Sequence, residues 1–164
     1  RNRMKFMLDL DSGKIPNRVP DSSFENGRGG WIALGGISNE RAAGGKQSFA
    51  FTMPRSGRGE MVLRVPMNAQ KKYLLMAKIY LDSDYPPGRA TASGYILGIN
   101  AQNVGSNYYI PFKTALVPGK WNPVSTTADV GKCQDRGDIY IIVEGMEKGE
   151  KVYVDDVVFV ELTE

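Results

Sequence analysis

The most informative absence in this 164-residue chain is histidine, of which there is none. Histidine is the commonest general base and the commonest metal ligand of proteins, so its absence excludes Ser-His-Asp catalysis, Cys-His catalysis and histidine-zinc sites. The single cysteine, Cys133, cannot form an internal disulfide. A lone cysteine neither proves nor excludes export, so the compartment has to be inferred from function.

Long hydrophobic runs and clustered charge are also missing. No apolar segment approaches the roughly 20 residues of a membrane-spanning helix. The formal net charge is +3, with basic residues spread in ones and twos, whereas nucleic-acid binding usually needs a clustered basic face. We therefore expect neither a membrane nor a nucleic-acid partner. The chain begins at Arg1 without a signal peptide or initiating methionine, which suggests a processed or excised fragment.

What the chain does have is frequent turn signals. Nineteen glycines and nine prolines separate stretches rich in Val, Ile, Tyr, Phe and Thr, which is typical of an all-β sandwich or barrel. No segment keeps a helical period over two turns with capping residues, so any helix should be short. The predicted strands are 4–10, 18–25, 30–37, 47–53, 60–65, 73–81, 92–99, 108–112, 121–127, 139–144 and 152–162. Residues 1–16 are expected to be a tail or an extra edge strand, and 17–164 one sandwich module.

Alternation within two predicted strands separates a core face from an outer face. In residues 73–82 the outer parity carries Tyr80 beside charged residues, and in residues 138–144 it carries Tyr140 and Glu144. A tyrosine ring can stack on the apolar face of a sugar while its hydroxyl stays in water. The alternative is that strands simply favour tyrosine. Trp31 and Trp121 each follow a turn, and we expect both to anchor the core.

Two acidic motifs lie far apart in the sequence. Glu25 lies within the run VPDSSFENGRGGW (19–31), and Asp155 and Asp156 interrupt the apolar run VYVDDVVFVEL (152–162). Neighbouring strand residues face opposite ways, so one aspartate must point inward or toward a sheet edge. A buried carboxylate needs an arginine, N–H donors or a cation. An oxygen-only ligand set favours calcium, and the alternative is a salt bridge to Arg41 or Lys46.

Nothing in the sequence assigns a catalytic residue. Neither G-x-G-x-x-G nor G-x-x-x-x-G-K-[ST] occurs, so nucleotide binding of these types is not expected. A pair of carboxylates can hydrolyse glycosides without histidine, but only at a suitable separation, which sequence does not give. The candidate acids are Glu25, Asp82, Asp84, Glu144, Asp155 and Asp156.

Five short motifs, in order over residues 17–162, carry a resemblance to a known group. They are Asn17-x-Val-Pro-Asp-Ser-Ser-Phe-Glu-x-Gly27 with Gly30-Trp31, then Ala43-Gly-Gly-Lys-Gln-Ser-Phe49, Gly119-Lys-Trp121 and Val152-Tyr-Val-Asp-Asp-Val157. In this combination the chain resembles the jelly-roll carbohydrate-binding modules of the family 4, 9, 16 and 22 type, which have a galactose-binding-domain-like fold.

The resemblance implies a sandwich of two antiparallel sheets in which the first and last strands are adjacent. It also implies a structural calcium ion. Carried over to this chain, the ligands are the Glu25 and Asp155 side chains, the Ser23 carbonyl and the backbone around Gly45 and Lys46. Asp156 is the less favoured of the two aspartates.

The resemblance further implies glycan binding on a sheet face or at loop tips. On that pattern we expect Tyr80, Tyr140 and Glu144 on one face, with Tyr95, Asn100 and Gln102 beside them. The protein lacks a tryptophan outside its two structural positions, which favours a soluble glycan chain over a crystalline polymer as the ligand.

The function so implied is that of a non-catalytic module, extracellular, cell-surface or periplasmic, which holds a poly- or oligosaccharide for an attached enzyme. The alternatives are an accessory sandwich that contacts neighbouring domains without binding sugar, and a small glycosidase or lyase.

Overall fold

The computed structural model describes residues 3–99, 105–109 and 113–162, with side chains for 4–99 and 113–162. One helix precedes ten strands, and no helix among the described residues is long and apolar enough to cross a bilayer. The elements are α1 (Arg3–Asp11), β1 (Gly36–Ser38), β2 (Ser48–Thr52), β3 (Gly57–Pro66), β4 (Lys71–Asp82), β5 (Thr91–Ile99), β6 (Gly105–Tyr109), β7 (Thr114–Ala115), β8 (Trp121–Val130), β9 (Arg136–Met146) and β10 (Lys151–Leu162).

The strands form two antiparallel sheets. Sheet I has the order β1-β2-β10-β4-β8, and sheet II has the order β3-β9-β5-β6, with β7 paired to β5. One hydrophobic core lies between them. The fold is therefore the predicted β-sandwich, in which each sheet has one face on the core and one outer face.

The predicted alternation is confirmed in β4 and β9. Tyr73, Leu75, Ala77, Ile79 and Leu81 of β4 are buried in the core, as are Ile139, Ile141 and Val143 of β9. Side chains on the opposite parity of these strands lie on the outer faces of sheets I and II. The core is also stabilised by ring stacking across β4 and β10, where Tyr73 and Phe159 have centroids 4.7 Å apart.

The N-terminal residues differ from the prediction. Residues 4–10, predicted as a strand, belong to α1, where Lys5 pairs with Asp9 at 3.0 Å across one helical turn. The absence of a clear apolar stripe hid this helix, since Met4, Met7 and Leu8 are exposed. Methionine, leucine and lysine nevertheless have high helix propensity.

The segment 18–25 is not a strand, but it does lie along β10. The Arg18 N–H donates to the Phe159 carbonyl, and the Val157 N–H donates to the Ser22 carbonyl, both at 2.9 Å. Positive φ angles at Asp21 and Phe24 bend the segment and prevent a regular ladder. Within the predicted strand 30–37, the structure shows only an isolated bridge at Ile32 and the beginning of β1. The resemblance implied that the first and last strands are adjacent; the early strand that pairs with β10 is β2, and β1 lies on the other side of β2.

A register shift in β10 separates its two aspartates. The pairing with β4 is irregular between Asp155 and Val158, and Asp156 has a φ of 49°. Such a bulge adds a residue to one strand and redirects the side chains that follow. Asp155 is fully buried, while the half-buried Asp156 pairs with Lys78 at 3.1 Å.

Two glycines that flank the turn after β9 provide a matched test of the packing next to Glu144. Gly145 and Gly149 have φ angles of 80° and 88°. A Cβ at Gly145 would lie 2.3 Å from the Arg89 carbonyl oxygen, whereas one at Gly149 would meet nothing within 4 Å. We expect Gly149→Ala to lower the free energy of unfolding by about 1–2 kcal/mol from backbone strain, and Gly145→Ala by about 3 kcal/mol or more. Urea unfolding measures both, and equal losses would contradict the close contact.

Candidate functional site

The outer face of sheet II carries a row of apolar and aromatic residues that runs across its strands. Tyr95 of β5 is the register partner of Tyr140 of β9, and Tyr140 is the partner of Val62 of β3. Val62 in turn is bridged to Ile32. The two tyrosine rings have centroids 6.0 Å apart and an interplanar angle of 51°. Because strands lie about 4.8 Å apart, this row of four positions extends over roughly 14 Å.

Three ion pairs lie on the same sheet. Arg64 Nε is 2.6 Å from Asp138 Oδ1 and Arg64 Nη2 is 3.2 Å from Oδ2, while Arg58 pairs with Glu60 at 2.8 Å. Hydrogen bonds to these carboxylates raise the pKa of both guanidinium groups. Lys113 pairs with Glu144 at 2.8 Å. Three cations and three anions therefore give these groups no net charge.

The Tyr140 hydroxyl remains protonated at neutral pH. Burial is the main cause that raises the pKa of this phenol, with the carboxylates of Asp138 and Glu60 acting in the same direction. A protonated phenol both donates and accepts a hydrogen bond. The face thus combines ring surface with a hydroxyl and paired charges that can contact hydroxyl groups.

Sheet II brings together three of the six residues predicted to contact a ligand, namely Tyr95, Tyr140 and Glu144. The prediction that Tyr80 shares their face is wrong, because Tyr80 lies on β4 of sheet I, on the opposite side of the sandwich. Alternation identified Tyr80 as outward-facing, but it does not say which sheet a strand joins. Asn100 and Gln102 lie outside the described residues.

Tyr80 belongs instead to an aromatic cluster on the outer face of sheet I. Its ring centroid is 5.6 Å from that of Trp121 and 6.0 Å from that of Tyr153. The predicted core role of Trp31 is confirmed, since it is 2% exposed within the core. The same prediction for Trp121 is wrong, because Trp121 is half-buried outside the core. The turn before Trp121 predicts where β8 begins, but it does not predict which face of the sheet the side chain lies on.

The two acidic motifs meet at one loop, residues 43–47. Glu25 accepts hydrogen bonds from the Lys46 and Gln47 N–H groups, both at 2.9 Å. Asp155 Oδ2 accepts from the Ala43 N–H at 2.8 Å and the Gly44 N–H at 3.4 Å, and Oδ1 accepts from Asp156 at 2.8 Å. We call this arrangement the acidic loop clamp. Of the three partners considered for a buried carboxylate, the structure shows N–H donors.

The salt-bridge alternative is not observed at this clamp. Lys46 contacts Glu25 through its backbone N–H, and the guanidinium of Arg41 lies 3.8 Å from Asp82 instead. Gly45 packs directly on Glu25, since a Cβ there would lie 2.7 Å from the carboxyl carbon. Four of the five residues predicted to bind calcium, Glu25, Gly45, Lys46 and Asp155, therefore converge on the loop.

The clamp offers oxygen atoms, which are the type of ligand that calcium prefers. Calcium takes six to eight oxygen ligands from carboxylates, carbonyls and water, and the clamp offers two carboxylates against an exposed loop backbone. In the described part of the chain, no three His, Cys, Asp or Glu side chains group together as a metal site. A cation here would rely on backbone carbonyls, such as that of Ser23, to complete its coordination.

The acid with a raised pKa is not placed for catalysis. Burial raises the pKa of Asp155 from its ordinary 3.8 to about 6, against the opposing effect of the N–H groups of Ala43 and Asp156. Its side chain is fully buried next to the loop, where no substrate reaches it. Glu144, which is on the open face, is paired with Lys113. Neither Asp155 nor Glu144 is therefore both accessible and unpaired, as a general acid or base would need to be.

Comparison with known proteins identifies the fold. The chain matches no protein-family model and no curated protein. Among solved structures, the CBM22-1 xylan-binding domain from Paenibacillus barcinonensis Xyn10C aligns with a TM-score of 0.68 and 16% identity, covering 87% of this chain and 93% of that one. The second family 16 carbohydrate-binding module aligns with a TM-score of 0.65 and 18% identity, covering 88% and 100%.

A third structure, TmCBM61 in complex with β-1,4-galactotriose, aligns with a TM-score of 0.62 and 16% identity, covering 89% of this chain and 99% of that one. The chain therefore has the jelly-roll β-sandwich fold of carbohydrate-binding modules. The fold implied by the sequence motifs is confirmed.

The acidic loop clamp makes stability depend on pH in a definite direction. Because the pKa of Asp155 is higher in the folded chain, at about 6, than its ordinary 3.8, its contribution is complete below pH 3.8 and is lost as the pH rises through 6. In chelator, we expect the free energy of unfolding to fall between pH 4 and pH 7 by roughly 2 kcal/mol more than in Asp155→Asn. Urea unfolding at each pH tests this, and parallel curves would contradict the burial of an ionisable Asp155.

Proposed function

We propose that this protein is a non-catalytic carbohydrate-binding module that binds a soluble poly- or oligosaccharide on the outer face of sheet II. The observation that carries the proposal is the pair of cross-strand partners Tyr95 and Tyr140 at the middle of an open sheet. Large rings on an outer face do not contribute to the core between the sheets. They do provide flat apolar surface for the C–H face of a sugar ring.

The polar groups around the tyrosines match the hydroxyl groups of a sugar. A guanidinium that is already paired with a carboxylate keeps further N–H donors in its plane, and the carboxylate keeps further lone pairs. Arg58–Glu60, Arg64–Asp138 and Lys113–Glu144 each place a donor beside an acceptor. A sugar hydroxyl, which both donates and accepts, can contact either member of a pair.

The sugar itself is not specified by these contacts. The similar structures are described as a xylan-binding domain and as a complex with β-1,4-galactotriose. We infer that soluble xylan and β-1,4-galactotriose are suitable first probes for this chain. The rings and paired charges of the face are compatible with either neutral glycan.

We propose that the module acts outside the cell, or at the cell surface or in the periplasm, beside a catalytic domain. Stacking and hydrogen bonding on one shallow face give modest affinity per site. Attachment to an enzyme raises the effective concentration of that enzyme at its polysaccharide. Calcium is part of the proposal, and Glu25 and Asp155 are the side chains that would hold the ion and brace the loop 43–47.

The accessory-domain alternative makes a different prediction for the same face. A sandwich that only contacts neighbouring domains would not require Tyr95 and Tyr140 for any sugar contact. A glycan array on which the chain binds nothing would favour that alternative. Binding that survives loss of both rings would instead move the sugar site elsewhere.

Removal of either ring should weaken glycan binding with little change in folding. We expect Tyr140→Ala and Tyr95→Ala each to reduce affinity for soluble xylan or β-1,4-galactotriose about tenfold, which corresponds to roughly 1.4 kcal/mol. Titration calorimetry measures the affinity. Tyr140→Phe should retain most of the ring contribution.

Tyr85 provides a matched control at a loop end, where Arg89 lies 3.4 Å above its ring. Tyr85→Ala should leave glycan affinity unchanged even if stability falls. Equal affinities for wild type, Tyr95→Ala and Tyr140→Ala would reject the sheet II face.

Chelation should destabilise the protein if the clamp binds calcium. A ligand that binds only the folded chain stabilises it by mass action, so EDTA should lower the melting temperature by several degrees and added calcium should restore it. Glu25→Gln should abolish this response. Asp156→Asn is the control, since asparagine tolerates the positive φ at that position, and it should respond as wild type does. A melting temperature indifferent to both EDTA and calcium would show that N–H donors alone satisfy the carboxylates.

A further inference from the structure

The aromatic cluster of sheet I, formed by Tyr80, Trp121 and Tyr153, has no role in the core. The three residues are cross-strand partners, Trp121 on β8, Tyr80 on β4 and Tyr153 on β10, so they form one row on the outer face. None of them belongs to the core between the sheets. Tyr153 is buried, whereas Tyr80 and Trp121 remain partly open to solvent. The row therefore leaves ring surface of Tyr80 and Trp121 open to solvent, with Tyr153 buried beside them.

Arg41 covers part of this cluster. Its guanidinium carbon lies 4.2 Å from the centroid of Tyr80 and 5.7 Å from that of Tyr153. An arginine stacked on a ring keeps its N–H donors in the guanidinium plane, where they point sideways rather than into the ring. Tyr80 and Tyr153 thus support Arg41, and Trp121 is the ring of the row that Arg41 does not cover.

The hydrogen-bonding capacity around Trp121 is largely unused. Among the described residues, the Arg41 guanidinium forms one ion pair, with Asp82 Oδ2 at 3.8 Å, a distance too long for a hydrogen bond. No described group accepts from the indole N–H of Trp121, which is not a buried unsatisfied donor. Arg41 as donor and Asp82 as acceptor, 3.8 Å apart, can therefore each bind one of two neighbouring hydroxyl groups of a ligand.

The segment that carries Arg41 is held in place before any ligand arrives. Ser48 Oγ donates to the Arg41 carbonyl at 2.6 Å. The acidic loop clamp fixes the next residues along, through Asp155 to Ala43 and Glu25 to Lys46. A side chain on such a segment loses little conformational entropy on binding. Arg41 is therefore preorganised over the cluster.

We propose that Arg41, Asp82 and Trp121 form a second carbohydrate site, on the face opposite to Tyr95 and Tyr140. Its ligand is a neutral pyranose with vicinal hydroxyls. The sugar ring stacks on Trp121, one hydroxyl accepts from Arg41, and its neighbour donates to Asp82. The charges match a neutral ligand, because Arg41 lies beside Asp82 and Lys151 pairs with Glu40 at 3.0 Å. A carboxylated sugar would gain no net attraction from these balanced charges.

A second site gives the module two opposite binding faces. The sheets of a sandwich lie about 10 Å apart, so one glycan chain on each face can be bound at the same time. The module would then link two chains, or two segments of one chain. This inference does not depend on the sheet II site, and the two are tested separately.

The two tryptophans allow the second site to be observed directly. Trp31 is 2% exposed in the core and serves as an internal reference. We record the two indole N–H resonances while adding a panel of neutral oligosaccharides that includes xylotriose and β-1,4-galactotriose. We expect the Trp121 resonance to shift with ligand in wild type and in Tyr140→Ala, while that of Trp31 stays in place.

Two conservative variants test the recognition chemistry. Arg41→Lys keeps the charge but loses the planar stacked fork, and Asp82→Asn removes the anionic acceptor. Each should weaken the Trp121 response about tenfold, with melting temperatures within about 2 °C of wild type. Lys120→Ala, next to Trp121 on the exposed turn, is the control and should leave the response unchanged.

The outcomes separate the two sites. A Trp121 response that persists when Tyr140→Ala has lost its own binding supports two sites. Loss of all binding in Tyr140→Ala, including the Trp121 shift, overturns the second site and retains the sheet II proposal. A Trp121 shift in a protein whose affinity is insensitive to Tyr140→Ala supports the second site and rejects the first. No Trp121 shift with any oligosaccharide, or a shift indifferent to Arg41→Lys and Asp82→Asn, overturns the inference.

Discussion

Two carboxylates from distant parts of the chain hold one loop, and much of the molecule depends on that contact. Glu25 and Asp155 together accept hydrogen bonds from the N–H groups of Ala43, Gly44, Lys46 and Gln47. Asp155 is fully buried, so loss of the Ala43 and Gly44 donors would leave a desolvated carboxylate with the Asp156 N–H as its remaining partner. The clamp joins the segment before β1 to the last strand, and it fixes the chain that enters β2 next to β10.

The two outer faces of the sandwich share a design but differ in detail. Each has cross-strand aromatic partners, Tyr95 with Tyr140 on sheet II and Tyr80 with Trp121 on sheet I. On sheet II the rings lie among ion pairs that bind each other closely. On sheet I an arginine stacks on the rings and its acidic neighbour stands off at 3.8 Å. The first face is a broad row, and the second is a compact cluster.

Alternation and turn residues predict much of this fold, because burial on one sheet face follows a period of two whatever the partner strand is. They predict the inward residues of β4 and β9 and the outward positions of Tyr80 and Tyr140. They do not predict which strands become neighbours, since pairing between β4 and β10 is decided by contacts about 80 residues apart in sequence. The motifs did identify Glu25 and Asp155, whose shared loop carries the short sequence Gly44-Gly45-Lys46.

Local backbone conformation accounts for the remaining differences. Segment 18–25 has strand-like composition, but left-handed residues at Asp21 and Phe24 turn it away from a ladder. Helix α1 exposes apolar side chains, so its periodicity resembles no amphipathic pattern. The sequence predicts a core position for Trp121 because large rings are usually buried. Nothing in its neighbouring residues shows that β8 is an edge strand whose first side chain points outward.

The closed ion pairs beside Tyr140 also bear on how a glycan would reach the proposed binding face. Because Arg58, Arg64 and Lys113 are each matched by an acid within 2.8 Å, their fields cancel beyond a few ångströms. On the proposed function, association with a neutral polymer would then proceed without electrostatic steering and would be nearly independent of ionic strength. The same surface would work alike in dilute fresh water and in brine.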